Sequence, residues 1–464
     1  MEQTKKFNYS FLLKISLVTA MGGLLFGYDW VVIGGAKPFY EKFFDIAQSP
    51  SLQGWAMSSA LIGCLIGAVI SGILSDRYGR KKLLILSAFL FLLSALGTGA
   101  TSIFSYFIVY RIIGGIAIGM ASNLSPMYIA EISPGAVRGK FVSLNQLTIV
   151  VGILAAQLIN WQIAEPVAAN ATDLEILNSW NGQMGWRWMF WVEMIPAGLF
   201  FILMFFVPES PRWLATNGKT DKTFSILSKI GGDAYAKEEV DHIKNTLEKD
   251  EKLNFKQLFE PGIKKVLLIG IVIAAFQQWC GINVIFNYAE EVFAAAGYGV
   301  SDILFNIVIT GSVNLIFTFV AIYTVDKWGR RSLMLMGAGG LAGIYALMGA
   351  AYYFQINGWP LLILVILAIA SYAMSLAPVT WVVLSEIFPN RIRGAAMAVA
   401  TVALWLASFI LTYTFPLLNH FLGASGTFWM YGIISVLGFI FIYKKLPETK
   451  GKSLEEIEEE IIGV

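Results

Sequence analysis

The chain has 464 residues, of which 57% are hydrophobic and only 14% charged, with a formal net charge of +2. A soluble domain carries roughly 25% charged residues, so a soluble enzyme and a disordered regulator are both excluded. The near-balanced charge leaves no basic field for DNA or RNA, and what remains is a polytopic membrane protein, in keeping with a mean hydropathy of +0.67.

A bilayer-crossing helix needs about 20 mostly apolar residues. Runs between polar breaks predict twelve spans, at 12–33, 53–75, 83–102, 104–125, 142–161, 186–207, 265–287, 304–325, 332–354, 360–385, 395–416 and 426–446. The first run follows Lys5 and Lys6 and carries Tyr28 and Asp29 where a signal peptide would carry a small-residue cleavage site. It reads as a membrane helix that is also the insertion signal. Between spans 6 and 7 lies a polar stretch in which KEEVDHIKNTLEKDEK (237–252) alternates apolar and charged residues at helical spacing. The expected organisation is therefore an all-α protein with a six-helix half at 1–207, a cytoplasmic linker with short helices at 208–262, and a second half with a short tail at 263–464.

Lys and Arg concentrate in DRYGRKK (76–82), at Arg138 and Lys140, in DKWGRR (326–331), and at Arg391 and Arg393. These loops are then cytoplasmic, as are both termini, in a plasma membrane such as a bacterial inner membrane. Cys64 and Cys280 sit inside apolar runs and form neither metal spacing nor a disulfide framework. With His242 and His420 both expected in loops outside the spans, no nucleophile–base set, nucleotide motif or metal motif is read. Neither an enzyme nor a cofactor is expected.

Three motif pairs repeat in order: DRYGRKK from Asp76 with DKWGRR from Asp326, EISPGAVRGK from Glu131 with EIFPNRIRGA from Glu386, and PESPRWL from Pro208 with PETKGKS from Pro447. The members of each pair lie roughly 240–255 residues apart. One six-helix unit is thus used twice in the same orientation.

Asp29 in span 1 and Arg111 in span 4 each cost about 2.5–3.5 kcal/mol or more if lipid-exposed at mid-membrane. Each should face the interior and want a partner. Either they form a static ion pair that fixes packing, or Asp29 takes up a proton when Arg111 moves away. Gln146, Gln277, Gln278, Asn283 and Asn314 interrupt apolar helices. They either bond helix to helix, at roughly 0.6 kcal/mol each, or serve a neutral, hydroxyl-rich ligand, because amides both donate and accept. Trp381 and Trp405 offer flat apolar faces that suit a sugar ring. Gly281 and Pro378 are placed to break helices beside these residues. Asp76, Arg77, Arg80, Glu131, Arg138, Glu209 and Arg212 cluster at cytoplasmic span ends, and Asp326, Arg330, Glu386, Arg393 and Glu448 repeat the cluster. These charges are either topology signals or ion pairs between helices that break when the cytoplasmic side opens.

In combination, GGLLFGYD (22–29), DRYGRKK, YRIIGGIAIG (110–119), EISPGAVRG, PESPRWL, QQWCGIN (277–283), WVVLSEIFPNRIRG (381–394) and PETKG resemble the signature of the sugar porters of the major facilitator superfamily, over nearly the whole chain. The resemblance implies a monosaccharide carrier working by alternating access. Its proton-coupled members carry Asp and Arg at the positions of Asp29 and Arg111, which implies proton symport. It assigns sugar contact to Gln146, Gln277, Gln278, Asn283, Asn314 and Trp381, and the pocket wall to Phe26 and Trp405. It assigns an inner-side latch to the repeated charges. Xylose-carrying members have Gln where this chain has Leu404 and Ile153, and Tyr where it has Asn287, so Asn287 is expected to supply a different contact. Pentose, hexose and inositol all fit. Sugar, proton and lipid are the expected partners, and a monomer the expected state. A proton-independent facilitator is the alternative that Asp29 argues against. A sugar sensor would be expected to carry a longer tail after PETKG.

Overall fold

The computed structural model describes residues 7–168, 171–249, 258, 260–389, 392–452, 456, 457 and 460. Among the described residues, eleven helical stretches are long and apolar enough to cross a membrane. The last of them runs 53 residues, from Arg393 to Lys445. At 1.5 Å per residue that is about 80 Å, more than twice the roughly 30 Å of a hydrocarbon core. Gly423 divides it, at φ 66°, so the spans number twelve, as expected from the sequence.

Helices α1 (Tyr9–Phe43), α2 (Pro50–Tyr78), α3 (Arg80–Ala100), α4 (Phe104–Ile132) and α5 (Arg138–Ile163) are the first five spans. A short helix α6 (Asp173–Asn178), capped by Thr172 and Glu175, leads to a π-helical turn at Asn181–Gly185. That turn continues into α7 (Trp186–Trp191) and α8 (Met194–Met204), which complete span 6. Between the two sets of spans come α9 (Pro211–Thr216) and α10 (Thr220–Lys249). Span 7 is divided into α11 (Pro261–Trp279) and α12 (Ile282–Asn287), followed by α13 (Ala289–Ala294). Next come α14 (Val300–Trp328), α15 (Arg330–Tyr353), α16 (Trp359–Ala373), α17 (Leu376–Ile387) and the double span α18 (Arg393–Lys445).

Two helix breaks follow from single residues. Gly281 adopts a left-handed φ of 85° between α11 and α12, a conformation any side chain would strain. Pro378 lacks the N–H that would close a bond to Met374 and crowds that carbonyl, and span 10 breaks at Met374–Ser375. One expectation is corrected: α1 does not end near residue 33 but continues to Phe43, through Lys37, Pro38 and Glu41. Lys37 and Glu41 are one helical turn apart and pair with each other, which lets a charged helix end stay buried.

The glycines do their packing where helices cross. A Cβ on Gly115 of α4 would run into the Ala60 carbonyl of α2, and one on Gly63 into that of Ile112. The first six spans meet the last six where α2 packs on α18, α5 on α14, and α1 on α12 and α13. Away from the charged turns, Ser51 and Tyr413 share a 3.1 Å hydrogen bond. On the same face the Val167 N–H donates to Ser301 Oγ at 3.0 Å, and the Trp161 and Phe305 rings lie 5.6 Å apart. The helix α10 is more than a solvated face, because Leu227, Ile230, Tyr235 and Val240 are buried. The ring of Tyr235 meets Phe7 at 5.3 Å. Residues 250–252, the end of the mixed-charge run, lie outside the described residues.

Candidate functional site

At the centre of the first six spans, α1 and α4 bring Asp29 and Arg111 together. Arg111 donates from Nη1 to Asp29 Oδ1, with the two residues 2% and 1% exposed. Asp29 Oδ2 and Arg111 Nε have no hydrogen-bond partner. The pair therefore uses only part of its bonding capacity, which is expensive in a low-dielectric interior. The guanidinium also sits over the Phe190 ring, 5.7 Å from its centroid. A third charged group escaped the sequence reading. Glu193, between α7 and α8, is 2% exposed, has Oε1 unpartnered, and interacts electrostatically with both Asp29 and Arg111. Its signal was available: a lone acid within the apolar run WVEMIPAG.

The amides gather mainly around the break in span 7. Gln278 donates from Nε2 to Gln277 Oε1 at 2.6 Å and accepts at Oε1 from Asn283 Nδ2. The helix break at Gly281 lies between Gln278 and Asn283. Asn287, at the end of α12, is buried with its Oδ1 unpartnered. Asn314 is buried on α14, while Gln146 on α5 and Trp381 on α17 are half-buried. Trp381 follows the break in span 10 by six residues, close to where Pro378 was expected to bend it.

Phe26 and Trp405 face each other across the two sets of spans, 6.0 Å apart. Trp30 completes an aromatic trio, at 5.9 Å from Phe26 and 6.0 Å from Trp405. Leu404 is buried beside Trp405, and Ile153 packs half-buried on the core. A small cavity lies between Trp30, Met57, Cys64, Arg111, Ile118 and Asn287. Arg111 of the first six spans and Asn287 of the last six both line it. Sequence reasoning also missed Gln157 on α5, which is 2% exposed with neither amide atom partnered.

The charged turns form two matching brackets. Arg80 donates to Glu131 Oε1 from Nε at 3.2 Å and from Nη2 at 2.9 Å. Ser210 donates to the other oxygen of Glu131. Glu209 Oε1 caps the start of α3 by accepting from the N–H groups of Arg80 and Lys81, at 3.0 and 3.1 Å. In the second copy Arg330 Nε donates to Glu386 Oε1 at 3.2 Å, Thr449 Oγ1 donates to Glu386 Oε2 at 2.6 Å, and Glu448 accepts from the N–H groups of Arg330 and Arg331. These pairs tie helices of the same set, α3 to α4 and α15 to α17.

Asp76 joins the first bracket at 3.2 Å from Arg80. Arg77 lies on the Tyr78 ring, Arg138 opens α5 exposed, and Arg212 is exposed on α9. Arg393 donates to the Phe388 carbonyl at 3.2 Å. Asp326 falls in α14, with its side chain outside the described residues.

The family model "Sugar (and other) transporter" matches residues 15–461. The D-xylose-proton symporter of Escherichia coli (strain K12) is 43% identical over 486 residues, covering 98% of this chain and 96% of that protein. The arabinose-proton symporter of Bacillus subtilis (strain 168) is 40% identical over 456 residues, with 98% and 96% covered. A solved inward open conformation of the xylose transporter from E. coli matches at a TM-score of 0.85 and 41% identity, covering 97% of this chain and 100% of that one.

Proposed function

Since this chain belongs to the sugar transporter family, we propose that it imports a monosaccharide together with a proton, by alternating access. It is a carrier and not an enzyme. Its two six-helix halves, 1–207 and 263–464, rock about the pocket between them, with 208–262 as a cytoplasmic linker. The charged turns and both termini face the cytoplasm, and the membrane is the bacterial inner membrane.

The observation that carries this reading is the buried Asp29–Arg111 pair, whose Arg111 lines a cavity together with Asn287. Asp29 takes up the proton when Arg111 moves away from it, with Glu193 as a second buried acid in the same field. Protonation then shifts the conformational equilibrium. One proton moving inward gains about 2.3 kcal/mol per 100 mV, enough for about fiftyfold accumulation at 1.36 kcal/mol per tenfold.

Gln146, Gln277, Gln278, Asn283, Asn287 and Asn314 hold the sugar hydroxyls, Trp381 covers a ring face, and Phe26 and Trp405 form the wall. The relatives named for xylose and arabinose favour a pentose or hexose. Leu404 and Asn287 set its identity. The cytoplasmic gate comprises Asp76, Arg77, Arg80, Glu131, Arg138, Glu209 and Arg212 in one half and Asp326, Arg330, Glu386, Arg393 and Glu448 in the other, and within it the Arg80–Glu131 and Arg330–Glu386 brackets keep each half rigid.

The test is uptake of labelled xylose, arabinose, glucose, galactose and inositol into liposomes holding the full chain, with and without an imposed pH gradient. Accumulation above equilibrium of at least one sugar, only with the gradient, is expected. Equilibration alone would favour a facilitator, and no uptake of any of them would overturn the sugar assignment.

A further inference from the structure

The extended end of α1 carries a charge cluster that the transport reading leaves unused. Lys37, 2% exposed, has its Nζ 3.0 Å from Glu41 Oε1, 3.2 Å from Glu290 Oε2 and 2.6 Å from Glu291 Oε1. Glu41 belongs to α1. Glu290 and Glu291 belong to α13, more than 250 residues along and in the other half. The cluster therefore fastens the two halves on the face away from the charged turns, beside the Ser51–Tyr413 bond.

Its charge does not balance. Three carboxylates surround one ammonium, and the other close donor is neutral, Gln53 Nε2 to Glu41 Oε2 at 3.1 Å. The remaining titratable groups facing it are Tyr40 of α1, whose hydroxyl is spent on Met57, and Tyr288, whose ring lies under Lys37. Farther off are Arg111 of α4, already paired to Asp29, and Lys42, 3.5 Å from Asp173. Neither supplies the missing positive charge. Glu291 Oε2 is buried with no hydrogen-bond partner, and a bare carboxylate oxygen there is costly unless it carries a proton.

We propose that Lys37, Glu41, Glu290 and Glu291 form a proton-binding latch across the outer mouth, which closes with one proton held on Glu291. The term "outer" rests on the orientation given above. Burial, with the nearby Glu290 and Glu41 adding to it and Lys37 opposing it, pushes the Glu291 carboxyl up to about 8. The residue lies beyond the apolar stretch of span 7, Gly262–Asn287. With the mouth open, Glu291 is hydrated and returns toward the ordinary value of about 4.3. Between those values the closed form holds one proton more than the open form. Closure is then favoured about tenfold for each unit the pH falls, and the dependence vanishes above and below that window. External acid thus shuts the outer mouth, separately from protonation of Asp29.

The test uses the full chain in lipid nanodiscs with spin labels at Gln48→Cys and Asn357→Cys, exposed positions on this face in opposite halves. Label distances are measured from pH 5.5 to 7.5 in the Asp29→Asn background, which removes the coupling carboxylate. The short-distance population should rise by up to tenfold per unit of acidification. Glu291→Gln, close to isosteric, should flatten that response, and Lys37→Met should deplete the short-distance population at every pH. Distances that ignore pH in the Asp29→Asn background would overturn the latch, as would an unchanged pH response in Glu291→Gln. If the distances respond while the parent chain accumulates no sugar, the latch stands and the symport reading falls.

Discussion

At the charged turns the halves are near copies: Arg80 holds Glu131 and Glu209 caps α3, while Arg330 holds Glu386 and Glu448 caps α15. At the membrane centre they are not. FGYD (26–29) has its counterpart in FNYA (286–289), and both tyrosines bond a distant carbonyl, Tyr28 that of Met189 and Tyr288 that of Thr412. Yet Ala289 stands where Asp29 does. Counting back twenty residues from Glu131 and Glu386 gives Arg111 in one half and Ile366 in the other. The mechanical parts are duplicated and the central ion pair is single. Conversely, most of the candidate sugar amides lie in the second half. Under the proposed roles, proton and sugar would be handled by different halves, and the cavity lined by Arg111 and Asn287 would be where the two tasks meet.

The strongest way to break this division is at the single pair. Asp29→Asn should abolish accumulation driven by a pH gradient, from about fiftyfold at 100 mV to none, while sugar counterflow persists. Persisting uphill uptake would show that the coupling lies elsewhere. Arg111→Leu leaves a buried carboxylate unpaired and should destabilise the protein by about 3–5 kcal/mol, read as a lowered Tm in detergent. Adding Asn at position 29 should recover much of that loss. If it does not, packing around Arg111, rather than charge, holds α1 to α4.

The duplicated brackets sharpen the contrast from the other side. Glu131→Ala and Arg80→Ala should lower transport about tenfold or more while sugar binding changes little, because a charge-assisted bracket is worth roughly 1.5–3 kcal/mol and lies away from the pocket. Glu386→Ala should do the same but less. The side chains of its pair are 15% and 22% exposed, against 10% and 9% for Arg80 and Glu131, and solvent screens the more exposed pair. Equal loss of binding and transport, measured by calorimetry and by uptake, would remove the brackets from the gate.

The same contrast explains what could be read from the sequence. The twelve spans were legible because lipid demands long apolar runs, and Gly281 and Pro378 announced their breaks by residue type. The positions of the bracket charges were legible too, but not their pairing, since Arg80 and Glu131 belong to different motifs that only the packing of α3 on α4 brings together. The end of α1 was misplaced because Lys37 and Glu41 look like a helix entering water. Their partners Glu290 and Glu291 lie more than 250 residues away, beyond any local pattern. Glu193 stood in plain view as an acid in an apolar run, and its importance comes from which groups it faces.

The smallest expected effects separate two amides of the second half. Gln278 sits in the middle of a chain, donating to Gln277 and accepting from Asn283. Gln278→Ala therefore strands two buried neighbours as well as removing a sugar contact, and should weaken binding by about 1–3 kcal/mol, roughly five- to 150-fold in Kd. Asn287 is spent less on the protein, because its Oδ1 has no partner. Asn287→Ala removes one sugar contact and strands nothing, so about 0.5–1.5 kcal/mol, or two- to twelvefold, is expected. That loss should also fall unevenly across sugars, since an atom held for the ligand alone discriminates by where its hydroxyl lies. Calorimetric Kd values for a pentose and a hexose decide it. A loss at Asn287 as large as that at Gln278, and equal for both sugars, would mean that Asn287 supports the helix break and that selectivity rests on Leu404 instead.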